Sequence, residues 1–142
     1  MDRHKSTAWA MTALAVVSFL TLKGFGIMNL LTVALPLCVF TLALYRTAGI
    51  EKDVTSSFAK LYAFEVFFPF VWVALLSVVG IMPAATIITF MALPIAIACV
   101  QTVKNSVEGG VKMLEDIYPR MANLHRIYVF LLIVSFVAAI FL

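Results

Sequence analysis

Glu65 stands in the middle of an apolar run, Tyr62-Ala63-Phe64-Glu65-Val66-Phe67, and is the single charged residue between positions 61 and 103. A carboxylate in hydrocarbon is expensive. It faces a bundle interior or water, and so is a candidate for proton or ion chemistry by default. Its other reading is an ion pair with Lys60 or Arg46 near the end of a helix. Histidine offers a second chemistry. His4 lies in the polar head, and His125 with Arg126 opens the last apolar run. A metal site from His4, His125 and Glu65 is allowed by placement, but no HxxH or HxxxH spacing supports it. His125 and Arg126 read more simply as anchors at the lipid–water boundary. Cys38 and Cys99 form no CxxC pattern and read as small buried hydrophobes. Walker, dinucleotide-glycine, G-x-S-x-G and HExxH motifs are all absent.

The elements that position these residues are membrane spans. Residues 61–103 are long enough to cross a bilayer twice, since one crossing needs about 20 apolar residues. Gly80-Ile81-Met82-Pro83 supplies the turn of that hairpin. Of the 142 residues, 64% are hydrophobic and 12% charged, against about 45–50% and about 25% in soluble domains. The net charge of +3 belongs to loops beside apolar spans, so it argues for orientation in a membrane and not for nucleic acid.

In chain order the spans fall at about 6–22, 26–45, 58–79, 83–103 and 123–142. Pro36, Pro69 and Pro94 lie inside them. Each interior proline frees a carbonyl on the preceding turn, which a neighbouring helix or water must satisfy. Ser6 and Thr7 offer a cap for the first helix, and Ser56 or Ser57 for the third. Between the fourth and fifth spans, Val111, Leu114, Ile117 and Tyr118 recur at helical spacing opposite Lys112, Glu115 and Asp116. That pattern predicts a short amphipathic helix at the interface. Asn29, Thr32, Thr41, Ser77, Thr86, Thr89 and Gln101 are polar residues within spans and suit bonds that hold helices together. Phe64, Phe67, Phe68 and Phe70 suit lipid contact, core packing or the wall of a tunnel for a prenyl or acyl tail.

Five spans put nine of the ten lysines and arginines on one side and Lys23 alone on the other. The positive-inside rule then sets the amino terminus in the cytoplasm and the carboxyl terminus outside. The expected fold is one all-α bundle of five transmembrane helices, multi-pass, in a cell inner membrane.

The carboxyl half carries a resemblance. Phe58-Ala59-Lys60-Leu61-Tyr62, the apolar hairpin, Ala92-Leu93-Pro94-Ile95-Ala96-Ile97, a polar loop and Ala122-Asn123-Leu124-His125-Arg126 follow in order. The order resembles the closing third of UbiA-type intramembrane prenyltransferases, over about 85 residues. The resemblance implies an all-helical enzyme that joins a prenyl chain, delivered as an isoprenoid diphosphate, to a lipid-soluble acceptor. It also implies magnesium held by two aspartate-rich motifs. Asp2-Arg3 before Ser6-Thr7 is similar to the tail of the second motif, without its glycine and at a shorter spacing. The first motif, N-x-x-x-D-x-x-x-D, is absent, and Glu51-Lys52-Asp53 matches neither. The resemblance therefore implies a partial copy, with Asp2, Arg3, Lys5 and Glu65 as the residues to test.

Two other classes fit the same text. A non-catalytic subunit of a transport, secretion or respiratory complex would be small, apolar and without a complete site. Its partner would be another membrane subunit or further copies of itself. A small proton-coupled transporter would use Glu65, although no internal repeat supports it.

Overall fold

The computed structural model describes residues 3–50 and 54–141. Five helices in it are long and apolar enough to cross a membrane. Helix α1 covers Arg3–Lys23, α2 Ile27–Ala48, α3 Ser56–Val78, α4 Leu93–Gly109 and α5 Ile117–Phe141. No strand occurs among the described residues.

Turn chemistry explains the boundaries. α1 stops at Gly24, whose φ of 114° is left-handed and open to glycine at little cost. The Asn29 side-chain amide donates to the Lys23 and Gly24 carbonyls at 3.3 and 3.1 Å, tying the tight turn into α2. α3 is capped by Thr55, whose side chain accepts from the Phe58 N–H at 3.1 Å. The cap thus lies one residue before the serines expected from sequence, and Ser56 opens the helix itself. At the far end of α3 the Ile81 and Met82 N–H groups return to the Leu76 carbonyl.

Two expected elements differ. Positions 83–103 do not form one continuous α-helix, because Ala84–Ala92 is a nine-residue 3-10 helix that precedes α4. Pro94 has no N–H for the α-type bond to Phe90, and the Leu93 N–H takes the Phe90 carbonyl instead. The Thr86 and Thr89 hydroxyls donate to carbonyls three residues back, at 2.7 and 2.8 Å, which suits the tighter winding.

The separate amphipathic helix over 111–118 is also absent. Val111–Leu114 forms one 3-10 turn, and α5 begins at Ile117, running through Pro119 in its first turn, where proline loses nothing. Leu114 and Ile117 are buried in the protein core. Their apolar edge is consumed by packing within the chain and not by the lipid boundary.

α5 is the hub, touching α1, α2, α4 and the 3-10 helix. Met121, Leu124, His125, Tyr128, Val129, Leu132, Ser135 and Phe136 are all buried along it, the three-and-four spacing of a core stripe. Phe40, Phe70 and Tyr128, from α2, α3 and α5, meet at centroid distances of 4.9 to 6.3 Å. Phe90 of the 3-10 helix stacks on Phe70 at 5.8 Å, and Phe19 of α1 meets Phe136 at 5.0 Å. Outside this core, Leu35, Leu42, Leu75, Val78 and Phe141 are exposed. Apolar surface on that scale belongs against lipid tails. Cys38 shares the outer surface, contrary to the expectation that it is buried, while Cys99 lies in the core.

The carbonyl freed by Pro36 has a partner. The Trp72 indole N–H of α3 donates to the Thr32 oxygen at 2.8 Å, one turn before the proline. Removing this donor leaves an orphan carbonyl, and Trp72→Phe should lower stability in detergent by about 1–3 kcal/mol. Pro36→Ala restores an N–H for Thr32, so it should recover most of that loss in the Trp72→Phe background. Chemical denaturation followed by circular dichroism measures both, and equal losses with and without Pro36 would refute the assignment.

Candidate functional site

α1, α3 and α5 begin, and α2 and α4 end, at one basic end of the bundle, so their polar residues meet there. Arg46, in the last turn of α2, donates through Nε to Glu65 Oε1 at 2.5 Å. The Glu65 side chain is 7% exposed and that of Arg46 36%. Of the two partners weighed for Glu65, the structure brings Arg46 to it. The neighbouring contacts join other helices. The Trp9 indole donates to the Tyr45 hydroxyl at 2.6 Å, and Lys5 Nζ stands 4.8 Å over the same ring. His4 meets Tyr118 edge-on at 5.2 Å. The Arg120 guanidinium reaches Asp116 at 4.0 Å and the Thr102 hydroxyl at 3.4 Å.

His125 is fully buried, so it does not anchor the helix at the lipid boundary. It lies against Phe40 and 3.3 Å from the Thr41 hydroxyl. That hydroxyl gives its proton to the Leu37 carbonyl at 2.8 Å, which assigns the donor role to His125 Nε2 and leaves Nδ1 as an acceptor. Nδ1 has no hydrogen-bond partner among the described residues. Arg126 is exposed and donates to Asn123, on its own helix, at 3.4 Å. Arg3 is exposed, and Asp2 lies outside the described residues, as do Glu51, Lys52 and Asp53. Of the four residues suggested by the resemblance, Lys5 faces Tyr45 and Glu65 faces Arg46. Among the described residues no group of three His, Cys, Asp or Glu could hold a metal ion.

An opening at this end lies between α3 and α4, with a volume of about 980 Å³. Its mouth carries Ser56 and Lys60 from α3 and Lys104, Asn105 and Glu108 from α4, and its inner wall Ala59, Ala63, Phe67 and Val100. Phe67 also lines a second groove of about 460 Å³ with Phe70, Val71, Ala74, Leu75, Phe90, Leu93 and Ile97, a wall with no polar surface. In the sequence Lys60 and Lys104 count toward orientation, and Lys60 also as a partner for Glu65, but nothing there set them or Asn105 at an opening. A usable signal existed: Ser56, Ala59, Lys60, Ala63 and Phe67 fall on one helical face, and the alanines leave that face hollow.

The geometry defines a class: an all-α, multi-pass membrane protein with an opening bordered by lysines at one end of the bundle and an apolar groove beside it. Comparison with protein-family models, curated proteins and solved structures gives no match.

Two outcomes test the polar contacts. Glu65→Gln should still insert in the membrane and should lower stability by about 1–2 kcal/mol, below the range for a fully buried pair because Arg46 is partly solvated. Arg46→Gln should cost about the same, and the double variant less than the sum of the two; strict additivity would show that the pair contributes nothing. His125→Phe should change stability by less than about 1 kcal/mol, because Thr41 keeps its Leu37 bond. His125→Ala should cost about 3 kcal/mol through the cavity left beside Phe40. A large loss in His125→Phe would mean that the buried Nδ1 has a partner the chain depends on.

Proposed function

We propose that this chain is a prenyltransferase-like membrane protein that holds the apolar tail of an isoprenoid substrate between α3 and α4. One observation carries the reading: a groove walled by Phe67, Phe70, Leu75, Phe90, Leu93 and Ile97 without polar surface shares Phe67 with the opening that Lys60 and Lys104 line. A lipid tail gains about 0.8 kcal/mol per methylene on leaving water, but moving between bilayer and protein it gains only through shape and contact. A rigid aromatic wall supplies that contact. Phe70 is held by Phe40 and Tyr128 from behind, so the wall keeps its shape when empty.

Magnesium, which the resemblance implies, is not matched by the described donor set. Glu65 is engaged by Arg46, Asp116 lies beside Arg120, and Glu108 is the one carboxylate among the described residues that line the mouth. No step is therefore derived through a metal. In this reading the acids that activate a diphosphate come from a partner polypeptide, and this chain supplies binding and exclusion of water. The basic end faces the cytoplasm, and the membrane is the cell inner membrane.

Native mass spectrometry of the chain extracted in mild detergent tests this reading. The expected result is a retained isoprenoid lipid, with retention cut about tenfold by Ala74→Trp, which fills the apolar groove (about 1.4 kcal/mol). A fixed complex with an unrelated membrane protein and no retained isoprenoid would make the chain an accessory subunit instead.

A further inference from the structure

We infer that one water molecule is bound in the seam between α1 and α5, donating to His125 Nδ1 and pairing with the Thr12 hydroxyl. The inference stands apart from the tail-groove reading and does not depend on it.

The buried hydroxyl groups single out the place. A serine or threonine inside a helix ordinarily returns its proton to a carbonyl on the preceding turn. Thr41, Thr47, Thr86, Thr89, Ser106 and Ser135 all do so here, at 2.6 to 2.8 Å. Thr12 is buried as they are, yet it makes no such bond. Its Oγ1 and His125 Nδ1 are the two buried side-chain polar atoms without a partner among the described residues. Each would be costly to leave unpaired in a bundle core.

The two orphans belong to one seam. α1 and α5 pack together and run in the same direction, with His4 against Tyr118 near one end and Phe19 against Phe136 near the other. Thr12 follows His4 by eight residues, and His125 follows Tyr118 by seven. Counted back from the other pair, Thr12 precedes Phe19 by seven and His125 precedes Phe136 by eleven. Their heights in the bundle therefore differ by about 2 to 6 Å, at most about one turn. They do not bond each other directly. Ala8 and Ala15 stand a turn to either side of Thr12 on the buried face of α1, and Ala122 stands a turn before His125. Short side chains thus line the seam beside both polar atoms.

The donor set selects the guest. His125 Nε2 donates to Thr41, so Nδ1 can only accept. An anion would meet that acceptor nitrogen and be repelled. A metal ion needs more ligands, and no group of three His, Cys, Asp or Glu among the described residues could hold one. An apolar molecule would satisfy neither atom. Water donates to Nδ1 and either donates to or accepts from the Thr12 hydroxyl, and two such partners are enough to hold a buried water.

A crystal structure of the full chain grown from a lipid mesophase, at a resolution that shows ordered waters, tests the site. Density for one molecule within about 2.7–3.2 Å of both Thr12 Oγ1 and His125 Nδ1 is the expected result. A direct bond between the two side chains, or a seam without density between them, would overturn it. Thermal unfolding in detergent gives an independent readout. Thr12→Val keeps the shape of the side chain and should lower the midpoint by about 2–4 °C, while Thr12→Ser should keep the bound molecule. In the His125→Phe background Thr12→Val should lower nothing, because both partners of the water are then apolar. An equal fall in both backgrounds would place the partner of Thr12 elsewhere, and no fall in either would show that the hydroxyl holds no water.

Discussion

The Trp72 indole N–H on the Thr32 carbonyl is the contact on which the arrangement of α2 and α3 depends. In hydrocarbon a peptide oxygen without a partner has no water to turn to, and costs several kcal/mol. Pro36 creates such an oxygen in the middle of α2. Satisfying it from α3 fixes both the rotation of α3 about its axis and its height against α2, because a ring nitrogen must reach one particular carbonyl. With α3 so fixed, Phe70 turns inward to Phe40, and Phe68 stacks on Trp72 at 5.5 Å. The apolar groove is then a consequence of which α3 face remains.

The same constraint shapes the other irregular stretch. α4 is preceded by a 3-10 helix whose threonine hydroxyls bond to nearby carbonyls, and Ser77 of α3 joins Thr86 at 2.5 Å. Hydroxyl groups that would be costly alone in lipid are satisfied locally and across the hairpin. Tyr128 follows the rule from the centre of the bundle, donating to the Pro69 carbonyl at 2.9 Å. At Pro36 the freed carbonyl is thus the place where a second helix becomes attached.

What the sequence made legible, and what it did not, divides along range. Five apolar runs and the turn at Gly80 could be read directly, because span length and glycine turns depend on neighbours in the chain. That Pro36 would need an external donor was also readable, but not that Trp72 would be the donor, since forty positions separate Trp72 from Thr32. The choice of Arg46 over Lys60 for Glu65 depends on how α2 meets α3. The edge formed by Leu114 and Ile117 has the period of an interfacial helix, and periodicity alone does not distinguish lipid from protein as the apolar partner. The groove was the least legible feature. It is a space, and only the hollow face of Ala59 and Ala63 hinted at it.

The distribution of counter-charges connects these layers to function. A membrane protein can set its basic residues on one side for orientation alone, and lysines placed for that purpose are free to lie anywhere around the rim. Here Arg46 and Arg120 are drawn to Glu65, Asp116 and the Thr102 hydroxyl, where their planar groups tie α2 to α3 and α5 to α4. Lys60 and Lys104 instead line an opening between α3 and α4, beside Ala59 and Ala63. Orientation does not require that placement. It requires only charge on the correct side, so the hollow α3 face left by the two alanines is a feature that orientation alone does not explain.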